Sequence, residues 1–507
     1  MSYNSVLYLL LFLPCTLLFY QMTPQKWRWV TLLTASYLLF WSFSGKLLIY
    51  LIGMTLLTYT AGIALHKVSG KLRKTVMLIC VILLVAGLAY LKYYNFFVSN
   101  FNLISEETGS IVRLQLHKLV APIGISFYTL QAIGYIIDVY WKNITVERHF
   151  GRLALFLGFF PQLMEGPIAR YSDVAEELQR NEDIKGENVA YGAVRIFWGL
   201  FKKMVIADRL AIPVNAIFDS YQDYSGVVIA LAAIGYTIQL YMEFSGCMDI
   251  VIGSGRMFGV RLPENFRQPF ASKNASEFWR RWHITLGVWF KTYIFFPAST
   301  SHVVKKWSKY SRKKYGKYVS NIGTLAMTLF PVWLCNGIWH GAAWNYIFYG
   351  MYYFVLILAG EAVAPIKKQV VNRLNIDESR RYWQTLQIGK TWLIIFTGEL
   401  FFRANGLSAG FSMISSMITG FTISGLSEDL GAIPFVDAAD ILIVIIGCII
   451  VAIVGSIREK RGAVVASIDN LKLPVRWCIY YALIFSVVIF GAYGAGYQKI
   501  DLIYAGF

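Results

Sequence analysis

The segment Asn336-Gly-Ile-Trp-His-Gly-Ala-Ala-Trp-Asn345 holds a histidine, His340, between two long apolar stretches, Ser320 to Leu334 and Tyr346 to Gly360. An ionisable group at membrane depth marks a functional site by default. A neutral imidazole is cheaper to keep there than Asp or Lys, for which insertion scales give about 2.5 to 3.5 kcal/mol, and it can take up a proton at cellular pH. His340 is therefore the candidate general base. Asn336, four residues earlier, is placed to orient the ring if the stretch is helical, and Gly337 and Gly341 are expected to let a substrate approach the backbone closely. Of the six histidines, His66, His117, His149 and His302 fall in polar or charged segments where solvation accounts for them. The remaining one, His283, shares the apolar, Trp-rich surroundings of His340.

Around His283 the chain reads Glu277-Phe-Trp-Arg-Arg-Trp-His-Ile-Thr-Leu-Gly-Val-Trp-Phe-Lys-Thr-Tyr293. On one helix, Trp279, His283, Leu286 and Phe290 share a face and Glu277 pairs with Arg281. The same spacing pairs Glu399 with Arg403, which neutralises two charges that would be costly alone at that depth. Glu243 and Asp249 flank Gly246, where a helix break with hydrogen-bonded carboxylates is expected.

These residues need a membrane scaffold, and composition supplies one: 507 residues, 57% hydrophobic and 15% charged, with a mean hydropathy of +0.52. Ser5 to Tyr20, Trp29 to Phe43, Leu47 to Leu65, Thr75 to Tyr90, Val227 to Tyr241, Ile441 to Val454 and Val475 to Phe490 are long enough to cross or nearly cross about 30 Å of hydrocarbon as helices. The expectation is an all-α polytopic protein with roughly a dozen or more spanning and re-entrant helices. The first stretch has no basic residue before it and no small-residue cleavage site after it, so it is expected to stay as the first span. Ala154 to Met164 runs into Glu165-Gly-Pro167, and Thr391 to Leu400 runs into Phe401-Phe-Arg-Ala-Asn-Gly406. Both look too short or broken for simple spans, and irregular backbone at depth survives only where protein or water buries it. Re-entrant helices around a water-filled cavity are therefore expected.

The net charge of +18 follows the positive-inside pattern rather than a nucleic-acid surface, because Lys and Arg gather between apolar segments. Loops with Lys26 and Arg28, with Lys67 to Lys74, and with Lys142 to Arg152 fall on one side. The stretch Tyr93 to Leu116, with Glu106 and Glu107, falls on the other. Lys367 to Arg381 and Arg458 to Arg476 continue the basic side, and Glu428, Asp429, Asp437 and Asp440 lie opposite. Both termini are thus expected outside and the basic loops in the cytoplasm. The run Lys305 to Lys317 holds seven cations and no acid, which suits anchoring to anionic membrane lipid. The six cysteines show no CxxC or regular spacing and are expected to be small core residues, neither a disulfide framework nor a metal site. No repeat or linker divides the chain, so one domain over residues 1–507 is expected. P-loop, HExxH, GxGxxG and GxSxG motifs are absent, which weakens hydrolase, zinc-protease and Rossmann readings.

Taken in order, Pro161-Gln-Leu-Met-Glu-Gly-Pro-Ile-Ala-Arg-Tyr171, Phe244-Ser-Gly-Cys-Met-Asp249 with Arg256-Met-Phe-Gly-Val-Arg-Leu-Pro-Glu-Asn-Phe266, Phe278-Trp-Arg-Arg-Trp-His283 and Trp339-His340-Gly341 resemble the membrane-bound O-acyltransferase family. The likeness is to its bacterial polysaccharide-acetylation branch, and the motif-bearing core runs over about residues 120–420. The resemblance implies helices enclosing a funnel or tunnel, with His340 near mid-bilayer. It also implies acyl transfer from a cytoplasmic thioester, acetyl-CoA here, to an acceptor outside. It makes His340 the catalytic histidine and His283 the second signature histidine, which is expected to position substrate or line the tunnel; Asn336, Trp339, Trp282 and Arg281, beside them in the sequence, are expected to contact substrate. General-base help from such an imidazole is worth about 10² to 10⁴ in rate. No bound cofactor is implied, since the thioester is a substrate. Implied partners are an extracytoplasmic acetyltransferase of the SGNH-hydrolase type and polysaccharide synthesis and export machinery, in the bacterial cytoplasmic membrane.

The chain departs from the family where relatives carry Ser-Leu-Ser, Arg-Asp-Tyr and Pro-Leu-Gly-Gly: it has Thr285-Leu-Gly287, Lys291-Thr-Tyr293 and Pro297-Ala-Ser-Thr300. Losing a bidentate guanidinium and its carboxylate is not conservative, so donor, acceptor or partner docking is open to change. Alternatives are D-alanyl transfer to teichoic acid from a carrier-protein thioester, a polysaccharide or lipid transporter, and a bis-histidine haem or quinone protein in which His283 and His340 converge on a cofactor.

Overall fold

The computed structural model describes residues 3–424, 426–433, 437–462, 468 and 470–493; the expected outside location of the C-terminus falls outside them. Every regular element among them is helical. A π-helical turn, Leu7–Phe12, leads into α1 (Leu13–Met22), followed by α2 (Arg28–Ser44), α3 (Leu48–Lys67) and α4 (Gly70–Glu107). Each coincides with an uninterrupted apolar run, because a chain in hydrocarbon must satisfy its backbone polar groups within itself. Tyr93 to Glu107, expected in an external loop, instead extends α4 to 38 residues. The acids Glu106 and Glu107 form its last turn.

The interior is built by α5 (Ile125–Trp141), α6 (Phe150–Gly158), α7 (Phe160–Leu163), α8 (Tyr171–Arg180), α9 (Gly186–Leu200), α10 (Asp208–Asp219) and α11 (Gly226–Met257). Here α6 and α7 form the expected short, broken pair, and neighbouring side chains satisfy the break. Tyr3 donates its hydroxyl proton to Phe160 O at 2.7 Å and accepts from Met164 N at 3.2 Å, while Ser36 Oγ accepts from Phe160 N at 3.0 Å. The central helix α11 is unbroken at Gly246, contrary to expectation. That glycine, with Gly253, serves contact with α9: a Cβ on Gly246 would lie 2.8 Å from Gly199 O, and one on Gly253 would lie 2.7 Å from Gly192 O. Small residues let two backbones meet in this way. Glu243 and Asp249 then face the π-helical stretch Phe201–Ala207 that continues α9. There two consecutive lysines turn inward, Lys203 to Glu243 at 3.2 Å and Asp208 at 2.6 Å, and Lys202 to Asp249. Asp249 also accepts from Arg195 at 2.5 Å.

The segment around His283 is two helices, α12 (Ala275–Arg281) and α13 (Ile284–Phe290), and not one. After them come a π-helical stretch, Lys291–Phe295, and α14 (Phe296–Thr300), then α15 (His302–His340), α16 (Trp344–Arg373) and α17 (Arg381–Arg403). Gly316, at φ 85°, bends α15 so that its basic arm folds back: Ser320 Oγ donates to Ser308 O at 3.0 Å. Thr391 to Leu400 belongs to the 23-residue α17 and is not a re-entrant fragment. The chain continues as α18 (Leu407–Thr419), α19 (Leu426–Ala432), α20 (Ala438–Arg461) and α21 (Leu473–Phe490). Among the described residues, 7 helical stretches are long and apolar enough to cross a membrane, one of them holding both α2 and α3. The cysteines are free thiols.

Two outcomes test this packing. Gly253→Leu should destabilise the protein by about 1 to 3 kcal/mol through overpacking, whereas Gly389→Ala, with open space at its Cβ, should leave detergent-phase thermal unfolding unchanged. Asp249→Ala leaves Lys202 buried without its carboxylate and Arg195 with Glu264 alone, and should cost about 3 to 5 kcal/mol, read as loss of the monodisperse peak in fluorescence-detected size exclusion.

Candidate active site

His340 is the last residue of α15, and Gly341 leaves the helix in extended backbone. From Gly316 to His340 α15 rises roughly 36 Å, from Arg381 to Phe402 α17 rises roughly 32 Å, and from Lys74 to Lys92 α4 rises roughly 27 Å, at about 1.5 Å per residue. All three climbs start at basic helix ends. His340 thus lies at the end of α15 remote from its basic arm. Its residue is 3% exposed. The edges and faces of Trp339, Phe402 and Tyr349 enclose the imidazole, with ring centroids 5.0, 5.1 and 5.7 Å away. Tyr349 in turn donates to Glu399 Oε1 at 2.9 Å.

That bond corrects the expected Glu399–Arg403 pair. Glu399 faces α16, while Arg403, at the end of α17, reaches Asn215 at 2.9 Å and Asp219 at 3.3 Å on α10. The glycines around His340 also have another purpose than substrate approach. A Cβ on Gly337 would lie 2.5 Å from Tyr346 O, and one on Gly341 would collide with the Tyr346 ring, so both make room for α16.

His283 occupies the break between α12 and α13 in the left-handed region, at φ 46° and ψ 52°. Asn265 holds it there. Its Oδ1 accepts from Thr285 N at 3.0 Å and Thr285 Oγ1 at 2.9 Å and lies 3.3 Å from His283 Nδ1, while Ile284 N donates to Asn265 O at 3.0 Å. An acceptor at that position places the imidazole proton on Nδ1 and leaves Nε2 basic. The His283 ring lies 4.8 Å from Phe244 and 5.6 Å from Trp339. Trp339 touches both imidazoles, so the two histidines and the indole form one packed cluster.

The other expected neighbours divide. Asn336 is helical and buried one turn before His340, but its Oδ1 has no hydrogen-bond partner, so it does not orient the ring through that atom. Trp282 is a core residue packed on Phe266, Phe278 and Tyr241 at 5.1, 5.3 and 6.0 Å. Arg281 keeps the expected pair with Glu277 at 3.0 Å, adds Glu459 on α20 at 3.1 Å, and so points away from the histidines. The break at His283 is the reason: Arg281 ends one helix and His283 precedes another. Asn345 caps the end of α17, donating to Phe401 O at 3.3 Å.

Two spaces flank this pair of imidazoles. One, of about 710 Å³, lies between α9, α11, α20 and α21, has mostly apolar walls, and ends against Asn265 and Ile284. Its rim is ionic: Glu264 joins Arg195 at 2.7 Å and Arg458 at 2.6 Å. The other, of about 10 Å³, is shared by His340 with Lys92, Ser126, Phe127 and Trp339. That space beside His340 has room for about one water. Lys92, Asn265 and the Tyr349–Glu399 pair were missed from the sequence. Lys92 offered a signal, as a lone cation just past the apolar run ending at Tyr90.

Comparison with known proteins agrees with this arrangement. The model of the MBOAT, membrane-bound O-acyltransferase family matches residues 149–402, which include both histidines and the Asn265 clamp. The chain is 32% identical over 421 residues to the probable alginate O-acetylase of Pseudomonas putida, covering 83% of this chain and 80% of that protein. It is 30% identical over 467 residues to the peptidoglycan O-acetyltransferase of Helicobacter pylori, covering 84% and 82%. To the teichoic acid D-alanyltransferase of Bacillus subtilis it is 29% identical over 312 residues, covering 58% and 75%. With a buried histidine pair at helix ends and this sequence match, the chain belongs to the membrane-bound O-acyltransferase family and is a polytopic O-acyltransferase.

Proposed function

We propose that the protein moves an acetyl group from a cytoplasmic thioester such as acetyl-CoA to a hydroxyl on the far side of the bacterial cytoplasmic membrane, for O-acetylation of an extracytoplasmic polysaccharide. The observation that carries this reading is that the 710 Å³ cavity reaches Asn265 and Ile284 beside His283, and that Trp339 touches both His283 and His340. The cavity mouth carries Arg458 and Arg267 near the basic end of α20, on the side the positive-inside pattern assigns to the cytoplasm. A pantetheine arm is narrow and mostly apolar, and suits such walls. His283, held by Asn265, positions the incoming acyl group. His340 removes the proton from the acceptor hydroxyl, whose oxygen attacks the thioester carbonyl. Trp339 has to swing aside for the acyl group to reach His340, which makes the indole a gate.

The relatives support acetyl over D-alanyl transfer, because likeness to the two O-acetylating proteins covers more of this chain than likeness to the D-alanyltransferase. In this reading the acetyl group passes to an extracytoplasmic SGNH-type acetyltransferase beside the polysaccharide synthesis and export machinery, and both termini lie outside. The six cations of the folded-back arm of α15, with Lys317 just past the bend, lie on anionic lipid in this reading.

His340→Ala and His340→Gln should each lower polymer acetyl ester by about 10²-fold or more with exported polymer unchanged. Radiolabelled acetyl-CoA supplied to the protein in nanodiscs should label the acceptor in the wild type alone. Loss of export with esters retained would make the protein a transporter, and labelling only from a D-alanyl carrier thioester would replace acetyl by D-alanyl transfer.

A further inference from the structure

The small cavity at His340 has a second chemical group in its wall. Lys92, on α4, lies outside the segment matched by the family model, yet its Nζ donates to Trp339 O at 2.8 Å and to Ser126 Oγ at 3.2 Å, and it lines the same 10 Å³ space as His340. Its polar contacts among the described residues are neutral: a carbonyl, a hydroxyl and the face of Tyr93 at 5.6 Å. A cation kept at membrane depth beside neutral groups is expensive, and such residues are retained for function.

Capping alone does not account for it. The last carbonyls of a helix lack intrahelical donors and attract a cation, and Lys92 does serve Trp339 O. The adjacent Tyr93 already serves the same helix end without charge, donating to Ile338 O at 2.8 Å. An ammonium has three N–H donors. Two are directed to Trp339 and Ser126, which fixes the third in direction. The adjoining wall, which carries Ser126, is the N-terminus of α5, a 17-residue helix whose positive dipole end adds to the field. Gly124, at φ 76°, brings that end in so closely that a Cβ there would collide with Leu163 O. A water-sized space bounded by an ammonium, a helix N-terminus and an imidazole is the size of one oxygen atom with its hydrogen-bond donors.

We propose that Lys92, with the start of α5, holds the carbonyl oxygen of the acyl thioester and stabilises the oxyanion formed when the acceptor attacks. This rests on His340 acting as the base of acyl transfer. His340 takes the acceptor's hydroxyl proton as the new C–O bond forms, and the carbonyl π pair moves onto the oxygen facing Lys92 Nζ. When that pair returns, the C–S bond breaks and the departing thiolate receives the proton from His340. The products are an O-ester and a free thiol, with no other reactant. Lys92 is thus a catalytic residue, and Ser126 positions it.

The test compares Lys92→Met, Lys92→Arg, Tyr93→Phe and His340→Ala in nanodiscs with acetyl-CoA. Lys92→Met should lower kcat about 10²- to 10³-fold, as loss of an oxyanion donor does, with KM for the thioester changed less than about threefold. Lys92→Arg should recover much of that loss, and Tyr93→Phe should stay near wild type. A trifluoromethyl-ketone analogue of acetyl-CoA, which mimics the tetrahedral oxyanion, should bind Lys92→Met far more weakly, whereas a thioether analogue should bind it as it binds wild type. If Lys92→Met does not fold, the same pair of analogues is applied to Lys92→Arg, where only the ketone affinity should fall. An inactive His340→Ala with a fully active Lys92→Met, or equal weakening of both analogues, overturns the role of Lys92 alone. A fully active His340→Ala overturns the underlying acyl-transfer reading with it.

Discussion

A helix that stops inside an apolar environment leaves backbone donors or acceptors that only the protein can satisfy, and this molecule is arranged around three such stops. The first is the α6–α7 break, closed by Tyr3, Ser36 and, at Ile168 N, by Thr285 Oγ1 at 3.0 Å. The second is the α12–α13 break, where one asparagine satisfies three groups at once. The third is the end of α15, met by Tyr93 and Lys92. Both signature histidines sit at stops of this kind. In mid-helix an imidazole packs into its neighbours, but at a helix end it borders space that the backbone has vacated. Thr285 links the first two stops, because the clamp that holds His283 also holds the irregular chain before Tyr171.

Buried charge is arranged around the large cavity by a different means. Asp249 and Glu264 tie α9, α11 and the last turns of α20 into one ionic chain from Lys202 to Arg458. Two successive lysines near the start of the π-helical stretch after α9 are both buried, each with its ammonium group on a different acid of α11. The tight α9–α11 contact through Gly199, Gly246 and Gly253 then brings those lysines to the acids on α11. The large cavity lies against this chain, with α20 and α21 as its outer wall, so its width follows from ion pairs at the rim and not from hydrophobic closure. Replacing such pairs by apolar residues would be neutral or stabilising in principle, and here would also narrow the chamber.

Spanning helices were legible as uninterrupted apolar runs, because nothing in hydrocarbon competes with intrahelical hydrogen bonds. His340 was legible for the same reason, as a titratable group with no solvent to explain it. The left-handed backbone at His283 was not, since positive φ is announced by glycine or asparagine and a histidine there depends on Asn265 from another segment. Glu399 and Arg403 show the limit of spacing arguments: i, i+4 residues can meet, but tertiary partners decide whether they do, and Tyr349 and Asp219 were closer to hand. Gly246 was read as a break because a glycine in a helix usually weakens it, yet in a membrane bundle glycine as often marks where two backbones meet. Arg281 and Trp282 were assigned to substrate by proximity in sequence to His283, and the break between them and that residue sends them elsewhere.

Under the proposed acyl transfer, the packing at Trp339 bears on mechanism. A chamber open from side to side would let water reach a bound thioester and hydrolyse it, so packed rings would protect the acyl group until both substrates are present. Trp339 lies in edge contact with His283, His340 and Phe127. Such contacts yield to a rotamer change at modest expense, in contrast to the ionic rim of the large cavity. In that reading an entering acyl group would displace the indole while the scaffold around Asp249 stayed fixed. The carbonyl of Trp339 is bound by Lys92, so the indole would swing on a backbone that is already held.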